Sequence, residues 1–322
     1  MAVHLECLSH TPLQGLVDPA PEVMAEVEAV LSVARARVAA FAPELVILFS
    51  PDHYNGFFYD LMPAWCVGIE ARSIGDFLSA AGRLNVPGDL ALDLARSTMA
   101  AGFDTAISYR MEVDHGFAYP LEALFGGLDT PPVIPVFVNS IAVPMPAPER
   151  VRRFGAAIGD WAARTGKRVL VVGSGGISHE PPVPELATAA PDARERLIAW
   201  RNPPKDQREA RQARTIRAGR ESAAGTSSAR PLNPAWDRAF LDLMKAGRVE
   251  AVDGWSDDWI SAEGGRSAHE IRTWWASFAA LKAAGGGTYS AEIDYYRAIP
   301  EWIAGFAVMH GDIDGTAGET AA

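Results

Sequence analysis

The chain predicts an α/β fold, a single compact domain with a central, mainly parallel or mixed sheet flanked by helices. Three observations carry this expectation. A strand-like run, an amphipathic helix and a second apolar run follow one another at the start of the chain, which is the grammar of an α/β domain. The runs LVILF and VLVV are apolar throughout, as strands covered on both faces are. Histidines follow these runs, at the strand ends where α/β proteins build their sites.

The elements follow in order. Val3, Leu5 and Cys7 alternate as a strand does. Asp18-Pro19 offers a helix start, with Asp18 as cap and Pro19 in the first turn. Val23, Val27, Val30, Leu31 and Val38 then mark one face of a helix, and Leu45 to Phe49 forms the next strand. A helix is expected over Leu90 to Ala101 and a strand around Thr105 to Tyr109. Val133 to Val138 reads as a strand, with Pro135 arguing for an edge or an irregularity. Glu149 to Arg164 has Val151, Phe154, Ile158 and Trp161 on one helical side, and Val169 to Val172 is again a strand.

Residues 201–230 break the pattern, being poor in large apolar groups and rich in arginine. They read as a solvated helix or mobile flap on a catalytic domain spanning 1–310. A nucleic-acid patch would interleave aromatics for base stacking, and these residues lack them. PLNPAWDRAFLDLMKAG reads as a turn and a helix, and 311–322 as a flexible tail.

Composition narrows the class. The 322 residues leave room for one large domain or two fused ones, and 48% hydrophobic with 21% charged residues is ordinary for a globular protein. A net charge of -11 disfavours loose adhesion to nucleic acid or anionic membrane, without excluding a small anionic ligand. Two cysteines, Cys7 and Cys66, sit in apolar or aromatic stretches and read as buried thiols rather than a disulfide framework. The start of the chain lacks a signal-peptide pattern, and no apolar run is long enough to cross a bilayer. The expectation is a cytoplasmic protein with neither membrane nor nucleic-acid partners.

Five of the seven histidines stand beside turn or glycine-rich sequence. His10 ends VHLECLSH, His53 ends LVILFSPDH, His115 follows TAISYRMEVD, His179 ends VLVVGSGGISH, and His269 adjoins Glu270 in GGRSAHE. Imidazole is a common metal ligand and a proton carrier near neutral pH, so the pattern points to a metal-centred or acid–base enzyme. Two histidines and a carboxylate suit non-haem iron(II). His10 and His53 fit as the imidazoles and Glu270 as the anion. Ser267-Ala268-His269-Glu270 equally fits a helix-capping box, and the residues alone leave both roles open. Asp52 and Asp114, each preceding a histidine, are candidate ligands, turn residues or partners behind a ligand. The GSGG run at Gly173 to Gly176 has neither dinucleotide nor Walker spacing. It reads as a tight turn with close backbone approach that brings His179 to a pocket rim. A zinc hydrolase using three of the histidines is the chemical alternative, although no HExxH helix is present.

The collinear stretches CLSHTP, FSPDHYNGFFYDLMPAWCVG, MEVDHGFAYPLE, GSGGISHEPPVPEL, PLNPAWD, SAHEIRTWWASFAA and YYRAIPEWIAGF resemble the class III extradiol ring-cleavage dioxygenases over nearly the whole chain. That resemblance implies Fe(II) held by His10, His53 and Glu270, with His115 and His179 doing acid–base work. His179 would take a proton from the catechol and His115 would donate one. It implies O2 and a small carboxylated catechol as substrates, the latter 2,3-dihydroxyphenylpropionate or 2,3-dihydroxycinnamate. The product would be a ring-opened dienoic acid, and the enzyme a homo-oligomer. A catechol-binding protein without turnover is the non-enzymatic alternative. The substrate carboxylate needs a donor or cation, for which Arg72, Arg110, Arg168 and Arg272 are candidates. YNGFFYD and PAWC are candidate pocket walls, and the role of His269 is open.

Overall fold

A computed structural model describes residues 2–313. Its strands are β1 (Ala2–Leu8), β2 (Leu45–Ser50), β3 (Trp65–Gly68), β4 (Ala71–Ile74), β5 (Ala81–Arg83), β6 (Ala106–Ser108), β7 (Met111–Val113), β8 (Val133–Val138), β9 (Arg168–Ser174), β10 (Ser290–Ile299) and β11 (Ala304–Asp312). Its helices are α1 (Pro21–Phe41), α2 (Gly88–Ala100), α3 (His115–Phe125), α4 (Pro148–Arg164), α5 (Pro191–Ile198), α6 (Lys205–Ala223), α7 (Pro234–Lys245), α8 (Asp257–Gly264) and α9 (Ile271–Ala284). The eight-stranded sheet runs β10-β11-β1-β9-β2-β8-β3-β6, and a smaller sheet runs β5-β4-β7.

Four neighbouring strands, β1, β9, β2 and β8, are parallel, while β11 and β3 flank them antiparallel, so the large sheet is mixed. Alternation along each strand divides the core in two. Leu5, Cys7, Ile47, Phe49 and Val171 face α4 and α9, where Phe154, Ile158, Trp274 and Phe278 pack. Leu8, Val46, Leu48 and Val172 face α1 and α3, meeting Val27, Leu31, Val38, Phe117 and Leu121. Cys7 and Cys66 are buried free thiols. Among the described residues no helix is long and apolar enough to cross a membrane.

Several local expectations are revised. α1 starts at Pro21 with Ala20 as its cap, because Asp18 instead accepts from the Gly15 N–H at 2.7 Å and closes the preceding turn. Pro135 lies in a central strand, not at an edge. The ladder from β8 to β3 stops at Val67↔Val136, and Pro135 sits just past it against Gly68, so the missing N–H falls where pairing has ended. α6 occupies much of the arginine-rich segment. Its Ile216 and Ala218 pack on the core, and Gly219 lies against the Glu301 carbonyl and Leu13. Of the tail 311–322, β11 claims Gly311 and Asp312, and residues 314–322 lie outside the described residues.

Candidate metal centre and catalytic cavity

The parallel strands place their carboxyl ends side by side, and the chain leaves each with a functional residue close behind. His10 follows β1 by two residues and His53 follows β2 by three. β9 runs into the glycine turn, whose Gly175 backbone packs on Glu270: a side chain there would come within 2.9 Å of the Glu270 Cβ. The Gly176 N–H donates to Glu270 Oε2 at 2.8 Å. Close backbone approach is therefore what those glycines provide.

The donor atoms converge. His10 Nε2 and His53 Nε2 are 3.4 Å apart, and Glu270 lies 3.3 Å from His53 Nε2 and 3.7 Å from His10 Nε2. His179 Nε2 is 4.0 Å from the same carboxylate. His115 stacks on His53 with ring centres 4.4 Å apart, and its buried Nε2 has no hydrogen-bond partner. His10, His53 and His115 also offer ring nitrogens within 4.8 Å of one another, so the hydrolase alternative has a three-imidazole set to use.

Each ring is oriented from behind. His53 Nδ1 donates to Asp114 (3.0 Å) and His115 Nδ1 to Asp76 (2.6 Å). His179 Nδ1 donates to the Ile303 carbonyl. His10 Nδ1 donates to Ser174 Oγ at 2.9 Å, since the Ser174 hydroxyl hydrogen is already given to the Gly116 carbonyl at 2.7 Å. In all four rings Nδ1 is thereby occupied and Nε2 is turned to the common centre, the usual arrangement behind metal-bound imidazole. Asp114 also caps α3 through the Gly116 N–H. Asp52 touches none of these histidines. It accepts from the Asn55, Gly56 and Phe57 N–H groups and so shapes the His53 turn. The loop carrying His179 is tied down by Asp237, which accepts from the Ser178 N–H and hydroxyl, both at 2.8 Å.

Electrostatics separates the groups. Burial, with the neighbouring imidazoles, drives the His10 pKa down to about 3, and burial also lowers His179. Burial opposes a charge on His53, but Asp114 and Glu270 outweigh it and raise that ring well above the usual value. Burial likewise opposes the Glu270 carboxylate, yet His53, His10 and His179 pull it down to about 2. Asp52 rises to about 7 through burial beside Asp114. Two imidazole nitrogens and an ionised carboxylate this close suit one divalent cation bound at about 2 Å by each.

Ser267 makes no side-chain cap, and the Glu270 carboxylate is committed to His53 and Gly176, so the capping box is not formed. His269 points away from the centre, between Ser261 (2.8 Å) and Arg272 (2.6 Å). A cavity of about 630 Å³ opens above the histidines. Tyr54 lines it, whereas Phe57 stacks on Phe137 and Trp65 on Phe154 in the core. Arg72, Arg110, Arg168 and Arg272 do not line it. Arg168 pairs with Glu44 and Arg272 with Asp257. The partners Asp76, Ser174, Asp237 and Ile303 escaped the sequence reading, as did the cavity arginines Arg196, Arg211 and Arg214.

Comparison with known proteins places this geometry in context. A protein from Cupriavidus pinatubonensis named 2,3-dihydroxyphenylpropionate/2,3-dihydroxicinnamic acid 1,2-dioxygenase is 62% identical over 312 residues, covering 97% of this chain and 99% of its own. Proteins of the same name from Paraburkholderia xenovorans and Escherichia coli are 61% and 53% identical, each over 96% of this chain and 98% of their own. The crystal structure of uncharacterized protein JW3007 from Escherichia coli K12 shares the fold, with a TM-score of 0.51 at 16% identity over 95% of this chain and 98% of that one. The profile described as "Catalytic LigB subunit of aromatic ring-opening dioxygenase" matches residues 4–307, and the chain belongs to that family of ring-opening dioxygenases.

Proposed function

We propose that the protein is an iron(II)-dependent extradiol dioxygenase acting on 2,3-dihydroxyphenylpropionate or 2,3-dihydroxycinnamate. The ring would open between the hydroxylated carbon 2 and the neighbouring carbon that bears the side chain, and both atoms of O2 would enter the ring-opened dienoic acid. The names of the relatives support the substrate. The observation that carries the chemistry is the convergence of His10, His53 and Glu270, with the Nε2 atoms of His115 and His179 beside them.

His10, His53 and Glu270 would hold the ion. Iron(II), when bound, would supply Lewis acidity toward the catechol and the redox chemistry that O2 requires. His179 is the proton acceptor: burial keeps the ring neutral, Ile303 fixes its Nδ1 proton, and its Nε2 lone pair is free to receive a catechol hydroxyl proton. His115 is the donor. Asp76 behind it holds the ring through Nδ1 at 2.6 Å, and its Nε2, without a partner inside the protein, is available to the substrate. Asp114 keeps the His53 ring in register, so it acts through that ligand and not on the substrate. Glu270 within 3.7 Å of both His10 and His53 favours this donor set over the three-imidazole site of a zinc hydrolase.

Oxygen consumption tests the reading. Protein reconstituted anaerobically with ferrous iron should convert 2,3-dihydroxyphenylpropionate to a yellow product, consuming one O2 per ring opened without NADH. Turnover by metal-free protein, or product formation without oxygen uptake, would overturn it.

A further inference from the structure

The cavity is lined at one end by His53, His115 and His179 and elsewhere by arginines of α5 and α6. Their partners are unequal. Arg266, also on the wall, is already neutralised by Glu180 at 2.8 Å and Glu185 at 2.5 Å. Arg211 gives its guanidinium hydrogens to the His53 and Tyr54 carbonyls and to Asn55 Oδ1, all uncharged acceptors. The side chains of Arg196 and Arg214 make no hydrogen bond or ion pair among the described residues, although both line the cavity. Glu185, bound to Arg266, is the one carboxylate on the lining.

Arg211 has the buried carboxylates of Asp76, Asp114 and Asp52 near it, whereas Arg196 and Arg214, two positive groups on a partly enclosed wall, have no anion paired with them and leave room for one from outside. A carboxylate matches the planar fork of arginine and can accept two hydrogen bonds at once. Arg211 is tied to the turn that carries His53, which joins α6 to the metal-binding end. Arg214 lies three residues on, one helical turn along the same helix.

We infer that Arg196 and Arg214 bind the side-chain carboxylate of the substrate, with Arg211 bracing the wall that presents them, so that the cavity selects catechols carrying a short anionic tail. The inference rests on the proposed ring-opening reaction and adds to it the groups that decide which catechol is taken. The arginine-rich segment thus supplies substrate recognition.

Two measurements test this. The first does not use turnover: metal-loaded protein is titrated calorimetrically with 3-phenylpropionate and with neutral 3-phenyl-1-propanol. Wild type should bind the acid at least tenfold more tightly. The Arg196→Ala/Arg214→Ala protein, with an unchanged circular dichroism spectrum, should lose that preference, and Arg214→Lys should keep part of it. The second compares kcat/KM for 2,3-dihydroxyphenylpropionate and 3-propylcatechol. The double variant should lose about 10–100-fold on the acid, the scale of hydrogen bonds to a charged group, and less than about threefold on the neutral catechol. Equal binding of acid and alcohol by wild type, or equal losses on both catechols, would overturn the inference. Absence of oxygen uptake with either catechol would refute the proposed reaction instead, and the titration would still decide the role of the arginines.

Discussion

A histidine whose Nδ1 is tied to a fixed acceptor has only Nε2 left with which to act, and the four histidines around the cavity floor, His10, His53, His115 and His179, are tied in that way. What separates them is where Nε2 points. His10 and His53 face each other and Glu270 at 3.3–3.7 Å, whereas His115 Nε2 is bare and His179 stands 4.0 Å off. If His10 and His53 are ligands, replacing either by Ala should weaken metal retention at least about tenfold. His115→Ala and His179→Ala should keep the metal and the fold while slowing ring opening roughly 10²–10⁴-fold, the scale of acid–base loss. Metal content after gel filtration, read beside kcat, separates the pairs. Equal metal loss in all four variants would erase the division. The sequence exposed these histidines because each closes an apolar run or adjoins a glycine turn. It hid their supports: Asp76 is 39 positions from His115, and Ser174 is 164 from His10. No local pattern links residues that far apart.

At the scale of elements, the strands β1, β2, β6, β8 and β9 and the helices α1, α2, α4 and α7 were legible from their apolar patterns, whereas β3, β4, β5, β7, β10 and β11 were not, and the misplaced details have local causes. Pro135 is tolerated centrally because β3 is short, and strand length on a neighbouring segment cannot be read from β8. Asp18 caps a turn instead of a helix because its carboxylate is taken by the Gly15 N–H, and α1 starts at Pro21. Less visible is the seam between α4 and α9. A Cβ on Gly155 would come within 2.2 Å of the Ala276 carbonyl oxygen, and one on Gly159 within 2.0 Å of the Ala280 oxygen. Backbone meets backbone there, with no side chain able to move aside. Gly159→Ala should gain up to about 1 kcal/mol in helix propensity. It should lose more by forcing the helices apart, for a net destabilisation of roughly 1–3 kcal/mol in urea unfolding. Since α9 begins directly after Glu270, the same variant should hold metal less well. An unfolding midpoint equal to wild type would show that the seam yields freely.

On the scale of the whole molecule, one ionic network links the first and last strands, β1 and β11, with α1 and β10. His4 on β1 lies opposite Asp312 on β11, and Glu6 opposite His310. His4 Nδ1 is 2.8 Å from Asp312 and its Nε2 3.0 Å from Glu6, so both ring nitrogens need a hydrogen. Arg37 of α1 binds Glu6 at 2.7 Å and Asp294 of β10 at 2.8 Å, and Asp294 meets His310 at 2.8 Å. Burial disfavours a charge on His4, but the bonds to Asp312 and Glu6 outweigh it and raise its pKa to about 9 from an ordinary 6.5. A pKa raised by folding stabilises the folded state fully below the unfolded value, and that contribution fades as pH climbs through the folded one. His4 should therefore support the sheet fully below about pH 6.5 and lose its effect between about pH 6.5 and 9, a change on the order of 3 kcal/mol. Asp312, whose carboxyl is held low by His4 against the cost of burial, acts in the opposite direction, its share vanishing in acid. The measurement is urea unfolding of metal-loaded wild type and His4→Gln across pH 6 to 9.5. The stability gap between them should narrow as pH rises, because the variant lacks the titrating ring while all other groups are common to both. A gap that stays constant over that range would mean that the charge on His4 does not help to hold the amino-terminal strand to β11.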